Sequence, residues 1–288
     1  MSRRSLLFMP GNNPGMLTSG DVLGADTVIL DLEDAVSLDE KDAARILVRE
    51  ALDFLRFTHS EVAVRVNPLD SPYWLQDLET VIPSLPDAIV IPKASVESVT
   101  TMSEVIERIK SENGLVKDIS LLLIIETAMG LVDIRNIAES SPQIKALLLG
   151  AEDLSSDLGI KRTKGNKEIE YARFVVATTA KAFRMDAIDT PYTDIDDVEG
   201  LAADTAFAKS IGFTGRLAIN PRQVETILEV FSPTEDEIEE AQAILSEAAE
   251  AKARGLGVFS YRGKMVDLPV IKRAENLLES ARKWGLVK

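Results

Sequence analysis

The sequence predicts a closed (β/α)8 TIM barrel with a C-terminal helical and lid extension. Three observations carry that expectation. Short, almost wholly apolar runs recur through residues 5–220, as strands buried on both faces do. Helical patterns separate most of them, the alternation that builds a parallel sheet. The runs number eight, and no Gly-x-Gly-x-x-Gly follows the first, which favours a closed barrel over an open doubly wound sheet.

In order, the runs are residues 5–10 (SLLFMP), 27–33 (TVILDLE), 62–67 (VAVRVN), 88–93 (AIVIPK), 121–126 (LLLIIE), 146–152 (ALLLGAE), 186–190 (DAIDT) and 214–220 (TGRLAIN). Between the second and third there is room for one helix, DEKDAARILVREALDFL. After the fourth comes SVESVTTMSEVIERIKSEN, stopped by Gly114. The repeat then ends, so residues 1–230 are expected to form the barrel and residues 231–288 the extension. In the extension, Thr234 and Glu237 make a capping box before a long helix, and Gly255 is its stop. GVFSYRGKMVD reads as a small hairpin, and LPVIKRAENLLESARKWG as a last amphipathic helix that needs a surface to pack on.

Composition narrows the chemistry. The chain is 45% hydrophobic but only 5% aromatic, so its core is aliphatic. A net charge of −15 argues against nucleic acid as a partner, because binding a phosphate backbone needs clustered Lys and Arg. The absence of Cys and the presence of a single His exclude a thiolate nucleophile, a zinc–thiolate site and a two-His metal motif. That histidine, His59, follows Phe57 and Thr58 and reads as a surface turn residue. The apolar run at the start is too short for a secretory signal, and nothing approaches a membrane-spanning length. A cytoplasmic protein with no membrane partner is expected.

Barrel active sites lie at the C-terminal ends of the strands. Reading those ends gives Asp31, Glu33 and Asp34, then Arg65 and Asn67, then Lys93, Glu126, Glu152 and Asp153. Thr190, Tyr192 and Asp194 follow the seventh run, and Asn220 the eighth. An oxygen-rich mouth with two cations suits Mg²⁺, or Mn²⁺, and an anionic substrate. Glu126 and Asp153 end runs about one strand–helix–strand repeat apart, so they can converge on one cation.

Each candidate also has a plainer use. Asp and Asn after a strand commonly cap the next helix, which suits Asp153 and Asn220, whereas Glu is a poor cap, so Glu126 points harder to a metal. Arg65 sits inside an apolar strand, where an unpaired charge is strongly unfavourable. It needs a carboxylate, either from the protein, with Glu33 as a candidate, or from a substrate. Lys93 pairs with one of the acids or, as the rival use, forms a Schiff base. Asp267 precedes Leu268-Pro269 and by itself reads as the cap of the last helix.

The motifs RRSLLFMPGN, DTVILDLEDAV, VRVNPLD, IPKA, IIETAMG, GAEDL, DTPYTD, GFTGRLAINPRQV and GLGVFSYRGKMVDLPVIKRAENLL occur in order along nearly the whole chain. As a set they resemble the family of citrate lyase β subunits, malyl-CoA lyases and related acyl-CoA lyases (the HpcH/HpaI-like aldolases). The resemblance implies a Mg²⁺-dependent barrel that cleaves a citryl thioester to oxaloacetate and an acetyl thioester. Malyl-CoA or another 3-hydroxyacyl-CoA is the alternative substrate, and a non-catalytic assembly subunit the remaining one. Asn220-Pro221 followed by Arg222-Gln223-Val224, where many relatives carry His-Pro, is similar to the citrate-cleaving branch. Carried onto this sequence, the resemblance implies Glu126 and Asp153 as metal ligands and Arg65 as the clamp on a substrate carboxylate. Asn67 and Asn220 are expected to bind substrate beside Arg65 and Glu126. Asp267 becomes an acid lent from a lid over a neighbouring subunit, overriding its reading as a cap. Asp31, Glu33 and Asp34 become groups holding water beside the metal. The resemblance also implies an acyl carrier protein as bearer of the thioester, a transferase subunit in the same complex, and a homo-oligomer, a homotrimer or a multiple of one.

Overall fold

Parallel hydrogen bonding joins eight strands into one closed barrel, in which β1 pairs with both β2 and β8. The strands are β1 (Ser5–Pro10), β2 (Thr27–Asp31), β3 (Glu61–Arg65), β4 (Ala88–Ile91), β5 (Ser120–Ile125), β6 (Ile144–Leu149), β7 (Asp186–Asp189) and β8 (Gly215–Ala218). Around them run α1 (Pro14–Ser19), α2 (Lys41–Phe54), α3 (Trp74–Val81), α4 (Val96–Glu112), α5 (Ala128–Val132), α6 (Ile134–Glu139), α7 (Ala151–Asp157), α8 (Glu170–Ala182), α9 (Val198–Ser210) and α10 (Val224–Phe231). This computed structural model describes residues 3–287; residues 1, 2 and 288 lie outside the described residues, and with them part of the expectation about the chain's start. Contacts divide the chain into two units, residues 3–231 and residues from Ser232 onward.

Alternation along each strand sorts the apolar residues into two cores. Leu6, Ile29, Ala63, Val90, Leu122, Ile124, Leu148, Ile188 and Leu217 point inward and fill the barrel. Their neighbours, such as Leu7, Val28, Val64, Leu121, Leu123 and Leu147, point outward under the helices. All of these are aliphatic, and side chains fill a barrel of this size.

Every strand but β1 stops one to three residues short of the end of its apolar run, and at β2 and β3 this bears on the site. β2 ends at Asp31 because its carboxylate accepts hydrogen bonds from the backbone N–H groups of Glu33 and Ala35, at 2.9 and 3.1 Å, turning the chain into a loop. β3 ends at Arg65, so Asn67 already lies in a loop.

At the N-terminal end, polar groups close the barrel. Arg3 grips Glu61 with Nε and Nη2, both at 2.7 Å, and reaches Asp186 with Nη1 at 2.8 Å. The hydroxyl of Thr27 donates to the same Glu61 at 2.9 Å.

A second charged cluster lies outside β7 and β8. Arg173 on α8 donates to both carboxylate oxygens of Asp189, at 3.1 and 2.9 Å, and to both of Asp204 on α9, at 2.9 and 2.7 Å. Arg216 also donates to Asp204, and to Thr205 Oγ1 at 3.1 Å. Arg173, Asp189 and Arg216 are at most 1% exposed, so each charge relies on the others.

The second unit is a helical hairpin. The capping box is present: Thr234 accepts from the N–H of Glu237, and Glu237 from the N–H of Thr234, opening α11 (Glu235–Ala253). Gly255 is left-handed (φ 73°) just past its end. β9 (Phe259–Tyr261) and β10 (Lys264–Val266) form an antiparallel hairpin whose turn, Arg262-Gly263, is left-handed at both residues. α12 (Leu268–Lys283) then packs on α11 through Ile238, Ala241, Ile244, Ala274, Leu278 and Ala281. No helix among the described residues is long and apolar enough to cross a membrane.

The outer cluster makes a stability prediction. Burial alone would raise the Asp204 carboxyl, but Arg173 and Arg216 outweigh it and hold it well below the usual carboxylate range. Its stabilisation is therefore complete above the unfolded carboxyl's value, about pH 4, and fades as the pH falls toward the depressed folded value. Asp204→Asn should cost about 3 kcal/mol at about pH 7, because two buried guanidiniums lose their shared partner. Urea unfolding at descending pH should show the gap from wild type narrowing below about pH 4.

Candidate active site

Strand alternation also decides which side chains reach the mouth. Continuing the inward series of each strand upward leads from Leu6 to Phe8, from Ile29 to Asp31, from Ala63 to Arg65 and from Ile124 to Glu126. On the other side the same step leads from Leu148 to Gly150, from Ile188 to Thr190 and from Leu217 to Ile219. All seven line one cavity of about 390 Å³ at the C-terminal end of the barrel, together with Asp34, Glu152 and Asp153.

Arg65 is fixed before any substrate arrives. Its Nε and Nη2 donate to the two oxygens of Asp31 at 2.7 and 2.6 Å, a fork-on-fork pair. Nη1 lies 2.9 Å from Glu33 Oε2 and 3.5 Å from Asp34 Oδ2. The guanidinium sits over the ring of Phe8, 4.7 Å from its centroid. Burial alone would lower its pKa, but the bonds and charge of Asp31 more than offset this and hold Arg65 above its ordinary value. The carboxylate it needed thus comes chiefly from Asp31, with Glu33 second.

Glu126 stands opposite, 4% exposed, and its Oε1 accepts from the backbone N–H of Lys93 at 2.7 Å. Lys93 reaches this position in the left-handed region, φ 45°, an unfavourable conformation for a side chain of its size. Its own side chain is exposed and lies outside the cavity lining. Burial pushes the Glu126 carboxyl up to about 7 against the Lys93 bond, and the charge of Asp153 adds to the rise. Burial likewise pushes Glu33 up to about 8, opposed by Arg65 and aided by Asp34, Glu126 and Asp31.

Asp153 lies in the first turn of α7, whose cap position is Gly150, so it does not cap that helix. Gly150 is required by Glu126: a Cβ there would sit 2.5 Å from Glu126 Oε2. Among the described residues no three carboxylates or imidazoles meet as a complete metal cage. Two oxygen donors, one of them buried, fit a hard cation such as Mg²⁺, which keeps water and takes substrate oxygens as further ligands. They do not suit zinc, which wants nitrogen or sulfur.

Other expected residues are used differently. Asn67 does not line the cavity: its Nδ2 donates to Leu32 O at 2.9 Å and Asp77 Oδ2 at 2.7 Å, and its backbone N–H to the same Asp77. Asn220 caps the turn at residues 221–223, accepting from the N–H of Arg222 at 3.0 Å, and also lies outside the lining. Both amides are thus held locally, Asn67 by Leu32 O and the Asp77 carboxylate and Asn220 by the turn after it. Asp31 uses both its oxygens on Arg65 and on the loop. Asp34 is 69% exposed by its side chain and faces the cavity. Asp267 is the N-cap of α12, accepting from the N–H of Val270 at 3.3 Å. Tyr192 and Asp194 line a separate cavity with Arg162 and Lys164. His59 is exposed and bonded to Asp21. Phe8 and Gly150 were not singled out by sequence reasoning, although counting inward from each strand would have reached both.

The fold and its oxygen-lined mouth define a barrel enzyme with its chemistry at the C-terminal face. The model of the HpcH/HpaI aldolase/citrate lyase family matches residues 4–221, and the chain belongs to that family. It is accordingly a carbon–carbon lyase. It is 40% identical to the citrate lyase subunit beta of Leuconostoc mesenteroides subsp. cremoris, over 99% of this chain and 95% of that protein. It is 34% identical to the L-malyl-CoA/beta-methylmalyl-CoA lyase of Cereibacter sphaeroides, over 96% and 94%. Among solved structures it resembles the CitE protein of Mycobacterium tuberculosis in complex with magnesium, acetoacetate and coenzyme A. The TM-score is 0.79 and the identity 28%, covering 97% of this chain and 98% of that one.

The close approach at Gly150 is testable. Gly150→Ala should displace Glu126 and weaken binding of a divalent cation at least about tenfold, or about 1.4 kcal/mol. Titration calorimetry with Mg²⁺ reads the affinity, and a melting curve verifies the fold. Unchanged affinity would remove Glu126 from the ligand set.

Proposed function

We propose that this chain cleaves a citryl thioester to oxaloacetate and an acetyl thioester in a Mg²⁺-dependent reaction. The observation that carries the reading is one cavity lined by Glu126, Asp153 and an Arg65 already fixed by Asp31. Likeness to a citrate lyase subunit beta and to a magnesium-bound CitE supports the choice of substrate and metal. Glu126 and Asp153 would hold Mg²⁺, which supplies Lewis-acid polarisation of the substrate's hydroxyl oxygen.

The remaining steps fall to the chain's own residues. Asp31 keeps the guanidinium from rotating, so Arg65 Nη1 binds a substrate carboxylate that takes the place of Asp34 at 3.5 Å. The hydroxyl's proton passes to water at the mouth of the cavity, and its oxygen forms the ketone of oxaloacetate. The adjacent carbon–carbon bond breaks, and its electron pair passes to the acetyl thioester as an enolate. Asp267, lent by the 231–288 extension of a neighbouring copy, gives a proton to the enolate carbon. The apolar walls given by Phe8, Ile124, Leu217 and Ile219 keep the dielectric low, which strengthens each of these contacts.

In this reading the thioester is carried by an acyl carrier protein, with the coenzyme A ester as a substitute. The chain works in the cytoplasm as a homotrimer within a complex that also holds a transferase subunit.

Purified protein should release oxaloacetate from citryl-CoA with Mg²⁺, lose that activity in EDTA, and act more slowly on malyl-CoA. Arg65→Ala should lower kcat/KM by roughly a hundredfold or more, and Asp267→Asn should lower kcat without changing Mg²⁺ affinity. Preference for malyl-CoA would move the chain to the sister activity, and EDTA-resistant turnover would overturn the metal reading.

A further inference from the structure

Lys41 is a cation in an unfavourable place. It is only 6% exposed and is the first residue of α2, where the helix dipole disfavours positive charge. No carboxylate forms an ion pair with it among the described residues. Its Nζ donates instead to two backbone carbonyls, Leu32 O and Glu33 O, each at 2.7 Å. Burial lowers its pKa, partly offset by the charges of Asp31, Asp77, Glu33 and Asp34.

Neither carbonyl needs the lysine in order to be satisfied. Leu32 O also accepts from Asn67 Nδ2 at 2.9 Å, and Glu33 O from the N–H of Val36 at 3.0 Å. An apolar side chain could fill the same space with no charge to bury. What the ammonium adds is restraint on the short segment after β2 that carries Glu33. Asn67 joins the same restraint and is anchored through Asp77, which accepts from Arg45 Nε on α2 at 2.8 Å. Glu33 in turn is one of the carboxylates beside Arg65 Nη1, the edge of the guanidinium left over after Asp31 has taken the other two nitrogens.

We propose that Lys41 is a positioning residue of this site: by holding the Leu32 and Glu33 carbonyls it keeps the Glu33 side chain beside Arg65 Nη1, the one nitrogen Asp31 leaves for a substrate carboxylate. Its effect on turnover presupposes the lyase reading above, whereas its hold on the loop does not.

Two readouts separate these. The first is amide hydrogen exchange in Lys41→Met. The N–H groups of Ala35 and Val36, bonded to Asp31 Oδ2 and Glu33 O, should exchange at least tenfold faster, with β2 itself unchanged. Unchanged exchange overturns the proposal whatever the substrate is. The second is a double-mutant cycle on citryl-CoA turnover. Lys41→Met should lower kcat at least tenfold and leave KM within threefold. Adding it to Glu33→Gln should cost less than a further threefold, because both act through one contact with Arg65. Losses that multiply, or a change in KM alone, overturn it. If wild type turns over neither citryl-CoA nor malyl-CoA, the lyase reading fails and exchange alone judges the loop. Should Lys41→Met fail to fold, Lys41→Gln, which keeps an amide N–H donor on a shorter side chain without the charge, takes both measurements; collapse of that variant too makes Lys41 a stabilising residue only and overturns the proposal.

Discussion

Successive residues of a strand point to opposite faces, and nearly every feature of this barrel follows from that constraint. One parity fills the interior with aliphatic side chains up to Val90, Ile124, Leu148 and Ile188. The next inward position on several strands is no longer apolar, because it opens on the mouth: Asp31, Arg65, Glu126 and Thr190. The other parity faces the helices, and there Asp189 and Arg216 must find partners on α8 and α9. A slip of one residue in register would send Arg65 and Glu126 into the helix layer and bury both without partners.

Electrostatics then separates two kinds of buried charge. Arg173, Asp189, Asp204 and Arg216 neutralise one another outside the barrel, and Arg3 with Glu61 and Asp186 does the same at its base. The mouth is different. Asp31, Glu33, Asp34, Glu126 and Asp153 gather around the single guanidinium of Arg65, so negative charge is in excess. Burial is the main cause of the raised carboxyls of Glu126 and Glu33, neighbouring carboxylates add to it, and a divalent cation bound there would favour their charged forms. Rigid support for the arrangement comes from backbone groups, chiefly the left-handed Lys93 and the bare Cα of Gly150.

Much of this was legible in the sequence. Strands buried on both faces advertise themselves as apolar runs, and a charge inside such a run, as at Arg65, marks a position that must be paired. Applied to Asp189 and Arg216, the same signal would have flagged the outer cluster. Asn67 and Glu33 were read as strand ends because apolar character reports burial, whereas a strand ends where its ladder of hydrogen bonds ends. The fate of an amide such as Asn67 or Asn220 depends on which carbonyl or N–H the folded loop places within 3 Å of it, and no local pattern encodes that. Lys41 was hidden for the same reason, as one more lysine at the start of an amphipathic helix whose acceptors lie eight and nine residues earlier.

The most direct test of a cation held at the mouth is anomalous diffraction from crystals grown with Mn²⁺, which takes oxygen ligands as Mg²⁺ does. A single peak about 2.2 Å from carboxylate oxygens of both Glu126 and Asp153 is the result expected. A peak at Glu33 and Asp34, or none in the cavity at saturating Mn²⁺, would contradict the assignment and leave the excess charge of the mouth to be explained by protonation alone.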